Sequence, residues 1–249
     1  MQASHKGKLG ITLVSHWMSH WMVPFSNAKS DRHAALRALD FMYGWFMDPL
    51  TFGRYPLSMQ SLVGDRLPKF SKEESDMVKG SFDFLILNYY TGNYAEHVMN
   101  ANNNINPSYT TDAQAKQTTD RKGVPIGLKI LSGSPWLHVY PQGIKSLLHY
   151  TKRKYNNPII YITENGISEK NDPTLSLKEA FKGLEDHLLP YPSLSSPKSY
   201  QGYFLLDNFE WNAGYTVRFG INFVDYKDGL LRRYPKSSAL WFKHFLRKT

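Results

Sequence analysis

Residues 156–173 read NNPIIYITENGISEKNDP, and the reading of this stretch decides the fold. A run of β-branched and aromatic residues, Ile159 to Thr163, stops at Glu164-Asn165-Gly166. Asn-Gly is the strongest short turn signal, so one reading makes the segment an arm of a β-hairpin with Glu164 solvated beside the turn. The other makes it a parallel strand that delivers its last side chains to the rim of a sheet, where α/β proteins bind their ligands. The two readings put the same carboxylate in opposite environments.

Outward from that stretch, strand-like runs alternate with helical ones. GKLGITLVSHW (7–17) begins as an apolar strand. DRHAALRALDFMYGWFM (31–47) carries Ala35, Leu36, Leu39, Met42 and Phe46 on a helical stripe, with Asp31 placed to cap it. Ser71 and Glu74 form a capping-box pattern at the start of a short helix. SFDFLILNYYT (81–91) is a second strand, bulky on both parities, as expected when both faces are covered. Residues 100–125 are polar, Asn-rich and Thr-rich, and read as a long surface loop. YPQGIKSLLHYTKRKY (140–155) predicts a helix entered at Pro141, with Ile144, Leu147, Leu148, Thr151 and Tyr155 on one face. Beyond the third strand, Ser176 and Glu179 open a further helix with Leu177, Phe181, Leu184 and Leu188 aligned. GYFLLDNFEW (202–211) reads as a fourth strand, INFVDYKDGLLRRYP (221–235) as a hairpin turning at Asp228-Gly229, and SSALWFKHFL (237–246) as a final helix.

Strand then helix, repeated, is parallel β/α architecture. Parallel strands do not turn back through hairpins, so Glu164 is expected at a strand end. Asn88, Tyr89 and Tyr90 fall at another, and Asp207, Asn208, Glu210 and Trp211 at a third. Carboxylates, an amide, phenols and an indole at three strand ends are the chemistry of a sugar site: hydroxyls need carboxylate and amide partners, and the apolar ring face needs aromatic cover.

Composition narrows the alternatives. The 249 residues are 41% hydrophobic, with 16 Tyr, 14 Phe and 6 Trp, which suits one globular domain and argues against disorder. No apolar run approaches the roughly 18 residues that span a membrane. The first residues, MQASHKGKLGITL, lack the apolar core and cleavage site of a signal peptide. The absence of cysteine excludes a disulfide framework and a thiolate metal site. The net charge of +9 is scattered, densest at Lys152-Arg153-Lys154 and Arg232-Arg233, and forms no basic stripe of the kind nucleic acid requires. No pattern suggests a metal or cofactor.

YITENG, FDFLILNYYT, LLDNFEW and GYTVRFGINFVDY, in this order, closely resemble glycoside hydrolase family 1, the β-glucosidases, in its plant branch. The likeness runs over about residues 2–180 and 202–247. The resemblance implies a (β/α)8 TIM barrel and a retaining mechanism, which uses two carboxyl groups about 5 Å apart. It implies that Glu164 is the nucleophile and that Tyr90 hydrogen-bonds it. It places Asn88 in the same subsite, Glu210 and Trp211 on glycone hydroxyls, Phe219 close by, and Trp136 as the aromatic platform for the aglycone. Taken singly, each aromatic has core packing as its simplest explanation, Phe219 most of all.

The resemblance also says what to expect missing. The family's acid/base glutamate lies in a TFNEP-like motif at the end of the fourth strand, and no such motif occurs in this sequence, which starts just after its place. The expected fold is therefore a partial barrel, about strands five to eight with their helices and a β-hairpin after the last strand. Residues 1–249 are expected to form a single incomplete domain. Three departures accompany this. SHWMSHWM (15–22) doubles a four-residue unit that is single in the family. GYFLLDNFEW lacks a short, odd-numbered stretch that includes a glycone-floor tryptophan, which threatens the orientation of Glu210. LPYPSLSSPKSYQ (189–201) replaces a crossover helix with a proline-interrupted segment. An open half-barrel exposes strand edges and apolar faces. Association with a separate N-terminal half or with a second copy is thus expected, and a β-glucoside or other sugar is the expected ligand. The alternative function is a non-catalytic carbohydrate-binding or half-barrel interaction module. Plant relatives are commonly secreted, vacuolar or plastidial, and the sequence carries no address of its own.

Overall fold

The computed structural model describes residues 6–18, 26, 28–99, 107–129, 133–176, 205–227 and 229–247. Strands β1 (Gly10–Val14), β3 (Phe84–Asn88) and β10 (Ile160–Glu164) form a parallel sheet with β3 in the centre. Gly10 lies opposite Phe84, Val14 and Glu164 both opposite Asn88. The segment that opened the question is therefore a parallel strand and not a hairpin arm. Gly10 is needed where it stands, because a Cβ there would meet the Phe84 ring at 2.2 Å.

Helices cover one face of this sheet. Helix α1 (Lys29–Leu39) runs through a π-helical turn (Asp40–Gly44) into α2 (Trp45–Phe52), and α6 (Pro141–Lys154) packs beside them. Leu13, Leu85, Leu87 and Ile162 share one core with Ala34, Ala35, Ala38, Leu39, Ile144 and Leu147. The stripe predicted for α6 is largely the buried one, and Pro141 opens that helix. Of the stripe predicted for the first helix, Ala35 and Leu39 are buried, Leu36 and Met42 partly so, and Phe46 is exposed. Gly143 lets that helix close onto the sheet: its Cβ position is 2.0 Å from the Tyr89 hydroxyl, which donates to Tyr140 O. Where the π-helical turn and α2 meet the end of α6, Lys154 bridges Asp40 and Asp48 while the Tyr155 hydroxyl donates to Asp48.

The opposite parity of the sheet is open. Thr12, Val14 and Tyr161 are exposed and Ile86 is half-buried, although the strand of Ile86 was expected to be covered on both faces.

Between the sheet strands lie smaller elements. Helices α3 (Leu57–Val63) and α4 (Lys72–Val78) follow α2, and α4 starts with the predicted Ser71/Glu74 capping box. Strand β2 (Trp17–Met18) pairs parallel with β4 (Gly92–His97), whose other edge takes β5 (Ala115–Thr118) antiparallel. The short helix α5 (Tyr109–Asp112) precedes β5. Ladders of β6 (Asp120–Arg121) with β7 (Val124–Pro125) and of β8 (Leu128–Lys129) with β9 (His138–Val139) complete this region. The expectation of a featureless loop over 100–125 is thus corrected for its second part: the edge of β4 needs a partner for its backbone groups, and the Thr-rich segment supplies one.

Two further expectations change. Asp31 is not the cap of α1, because the helix begins two residues earlier, at Lys29, after Ala28. Its carboxylate instead accepts from Ser26 Oγ (2.6 Å) and from His97 N (2.8 Å), tying the helix start to β4. In the described part of the fourth strand, 205–211, the only β contact is a parallel bridge from Leu206 to Asn222. The C-terminal part holds β11 (Glu169–Lys170) against β12 (Val217–Arg218), the predicted hairpin as β13 (Asn222–Val224) with β14 (Arg233–Pro235), and α7 (Ser237–Phe245). The second SHWM unit, the helix expected from Leu177 to Leu188, the 189–201 segment and the turn residue Asp228 lie outside the described residues.

Candidate active site

The carboxyl ends of β3 and β10 lie side by side, and their backbones are locked there. Tyr89 N donates to Glu164 O at 2.9 Å, and the buried Asn165 donates from Nδ2 to Tyr89 O at 2.7 Å. The register slips between Ile162 and Glu164. Thr163 Oγ1 donates across to Asn88 Oδ1 at 2.7 Å, so Asn88 is anchored at the same rim. The Asn-Gly pair that resembles a turn is in fact a clamp between two strands.

On this frame the Tyr90 hydroxyl donates to Glu164 Oε2 at 2.5 Å. Burial, then the bond to Glu164 and the nearby charges of Glu164 and Glu210, push the Tyr90 phenol far up. It stays protonated and remains a donor. Two aromatic rings stand edge-on to it, Phe219 at 6.0 Å and Trp136 at 6.1 Å between centroids. Phe219 belongs to a small core with Leu137, Val139, Ile167 and Val217, while Trp136 remains 43% exposed and can still offer indole surface to a ligand.

Glu210 is buried, and its Oε1 has no hydrogen-bond partner among the described residues. Burial raises its affinity for a proton, and the charges of Asp207 and Glu164 raise it further, against a lowering bond from Asn208. A buried carboxylate oxygen without a donor costs about 1–3 kcal/mol or more, a cost a ligand hydroxyl would relieve. Trp211 makes no ring contact or hydrogen bond through its side chain to this group among the described residues. Its backbone is left-handed (φ 47°) in the tight turn where Glu210 N donates to Gly214 O, and the side chain is 87% exposed.

The structure therefore gathers Glu164, Tyr90, Asn88, Trp136 and Phe219 at one rim, with Glu210 close enough to feel the charge of Glu164 and to act on Tyr90, while Trp211 follows Glu210 with its side chain exposed. Sequence reading missed two contributors. Asn165 was hidden inside the turn signal. His16 stacks on Trp136 (5.9 Å, 16° between planes) and lies 3.2 Å from Asn93 Nδ2; its only sequence signal was its place in the doubled SHWM unit. Burial lowers its pKa to about 4, so it is a neutral ring at neutral pH.

A parallel α/β sheet with a phenol-bound carboxylate at its strand ends, beside a second buried carboxylate and aromatic rings, is a candidate binding site. The chain belongs to glycosyl hydrolase family 1, whose model matches residues 1–249. It is 57% identical over 257 residues to Beta-glucosidase 12 of Oryza sativa subsp. indica, covering 99% of this chain and 49% of the relative. It is 48% identical to Raucaffricine-O-beta-D-glucosidase of Rauvolfia serpentina, covering 99% and 47%. Among solved structures, a rice Os3BGlu6 β-glucosidase mutant in a covalent complex with Glc matches with a TM-score of 0.86 and 41% identity, over 97% of this chain and 52% of that one. A β-glucosidase from the fungus Humicola insolens in complex with glucose matches with a TM-score of 0.86 and 33% identity, over 100% and 52%. The chain spans about half the length of the relatives it matches.

Proposed function

We propose that this chain carries the nucleophile half of a retaining β-glucosidase-type site, on the segment equivalent to barrel strands five to eight. The observation that carries this reading is the Tyr90–Glu164 hydrogen bond at the ends of adjacent parallel strands. Glu164 attacks the anomeric carbon, the glycosidic C–O bond breaks, and a glycosyl ester forms on the carboxylate. The Tyr90 phenol holds the carboxylate in its attacking orientation. Glu210, with its partnerless oxygen, accepts glycone hydroxyls, and Trp136 offers stacking surface to the departing group.

In a retaining mechanism the leaving alkoxide takes a proton from a second carboxylic acid. The family's motif for that acid does not occur in this sequence. A site without that acid loses a contribution of typically 10²–10⁴-fold. Glycosides whose leaving groups need no proton then lose least in ester formation, while release of the ester is slow because the same residue serves as base for the attacking water. Calorimetric titration with D-glucono-1,5-lactone tests the site. Binding that weakens at least tenfold in Glu210→Gln supports it; a wild-type chain that binds no lactone, or binds it equally well in that variant, refutes it.

A second reading, a sugar-binding or association module that works without turnover, is favoured by the open sheet face at Thr12, Val14, Ile86 and Tyr161. A complementary N-terminal half or a second copy would cover that face. Light scattering on the purified chain distinguishes them: a monomer at all concentrations counts against self-association, and a dimer lost in Tyr161→Lys supports it.

A further inference from the structure

Asp207 lies three residues before Glu210 and is almost wholly buried. Its carboxylate takes Arg218 Nη1 at 2.5 Å, Lys236 Nζ at 3.2 Å, Gly220 N at 3.0 Å and Val224 N at 3.2 Å. Its main chain is held as well, Asp207 N donating to Asn222 O and the Tyr226 hydroxyl donating to Asp207 O. Lys236 is 1% exposed and reaches a second carboxylate, Glu169 Oε2, at 3.1 Å. Arg218 also donates from Nε to Asn171 Oδ1, and its guanidinium lies 3.9 Å from the centre of the Phe223 ring. Two cations and two carboxylates thus tie four pieces of chain together: β11, the segment that carries Glu210, β12 leading into Phe219, and the residue that opens α7.

Such a knot costs desolvation, and buried ion pairs are poor stabilisers against apolar replacements. What it does here is fix charge beside a site. Glu210 feels the charges of Asp207 on its own segment and of Glu164 at the end of β10, and the phenols of Tyr90 and Tyr226 feel its own. Behind Asp207 stand Arg218 and Lys236. Lys236 lies outside every stretch that points to the site, yet it is the cation shared between Asp207 and Glu169.

We propose that Lys236 is a positioning residue for the sugar site: by balancing the Asp207 charge it makes Glu210 easier to ionise and holds the segment that carries it in place as a hydroxyl acceptor. The proposal rests on the reading of Glu210 given above. A unit charge one carboxylate away, at the effective dielectric of protein, moves a titration by about one pH unit. Removing the ammonium leaves Asp207 and Glu169 less balanced and Glu210 harder to ionise. Removing the Glu169 charge acts in the opposite sense.

The test follows the carboxyl carbon of Glu210 by NMR in chain labelled with 13C-glutamate, its signal assigned with Glu210→Gln. The expected result is a midpoint about one unit higher in Lys236→Met, lower in Glu169→Gln and unchanged in Lys236→Arg. At a pH between the wild-type and Lys236→Met midpoints, lactone affinity falls up to tenfold in Lys236→Met. Equal midpoints, or shifts in the same direction in Lys236→Met and Glu169→Gln, overturn the proposal, since a merely structural role gives no opposed pair. Should Lys236→Met not fold, the downward shift in Glu169→Gln decides alone. Opposed shifts in a chain that binds no lactone would overturn the sugar-site reading and leave the coupling to Lys236 standing.

Discussion

Tyr90→Phe isolates one hydrogen bond. The phenol donates to Glu164 Oε2 at 2.5 Å, while its ring packs edge-on against Trp136 and Phe219 at 6.1 and 6.0 Å. Phenylalanine keeps the ring contacts and deletes only the donor. A hydrogen bond to a charged group contributes about 1.5–3 kcal/mol, and Tyr90 is half-buried, so water replaces part of it and the lower figure applies. If that bond orients the nucleophile for attack, its loss slows formation of the glycosyl ester by about tenfold. The assay is the rate of mass gain with a 2-deoxy-2-fluoro-β-glucoside carrying a dinitrophenyl leaving group, beside thermal unfolding. Tyr90→Leu, which also removes the ring, is expected to lose both rate and stability. The reasoning is refuted if Tyr90→Phe labels at the wild-type rate, or if it loses as much thermal stability as Tyr90→Leu, for then the phenol serves packing alone.

Three other outcomes follow from the same geometry. Glu210 has a raised folded-state pKa, so the folded chain holds more protons than the unfolded one between the unfolded and folded values, and stability falls as pH rises through that window. Glu210→Gln therefore stabilises the chain at neutral pH and not at acid pH, as urea melts at the two conditions will show. His16 titrates near 4 against an ordinary 6.5. Its contribution to stability is complete above 6.5 and lost as pH falls through about 4, and the imidazole proton resonances are expected to move only at that lower pH. Asn165→Ala removes the donor that clamps β10 to Tyr89 O at 2.7 Å and is expected to cost about 1–3 kcal/mol in denaturant unfolding; a loss below about 0.5 kcal/mol would mean the clamp is dispensable.

The parallel strands and their helices could be read directly because burial writes a period into the sequence. Leu85 and Leu87 on β3, and Ile144, Leu147 and Thr151 on α6, fall on the buried parity and face. The open second face could not be read. Bulky residues such as Ile86 and Tyr161 fill both parities whether or not something covers them, and coverage is a property of the assembly. Asp31 misled because an acidic residue near a helix start signals a cap, and which backbone groups it meets depends on the fold around it. At the site, Glu164 and Tyr90 were legible from their motifs. Trp211 was named with Glu210 from the same motif, and the motif carried no sign that one is buried and the other exposed. The role of Lys236 left no local signal, since its partners lie 29 and 67 residues away.

The central claim is that Glu164 is the nucleophile of a sugar site. Its most direct test is to treat the chain with an activated 2-deoxy-2-fluoro-β-glucoside, digest it and locate the adduct. The account predicts one fluoroglucosyl group, on the peptide containing Glu164 and absent in Glu164→Gln. An adduct on another residue, or none on a folded chain that binds the lactone, would contradict it.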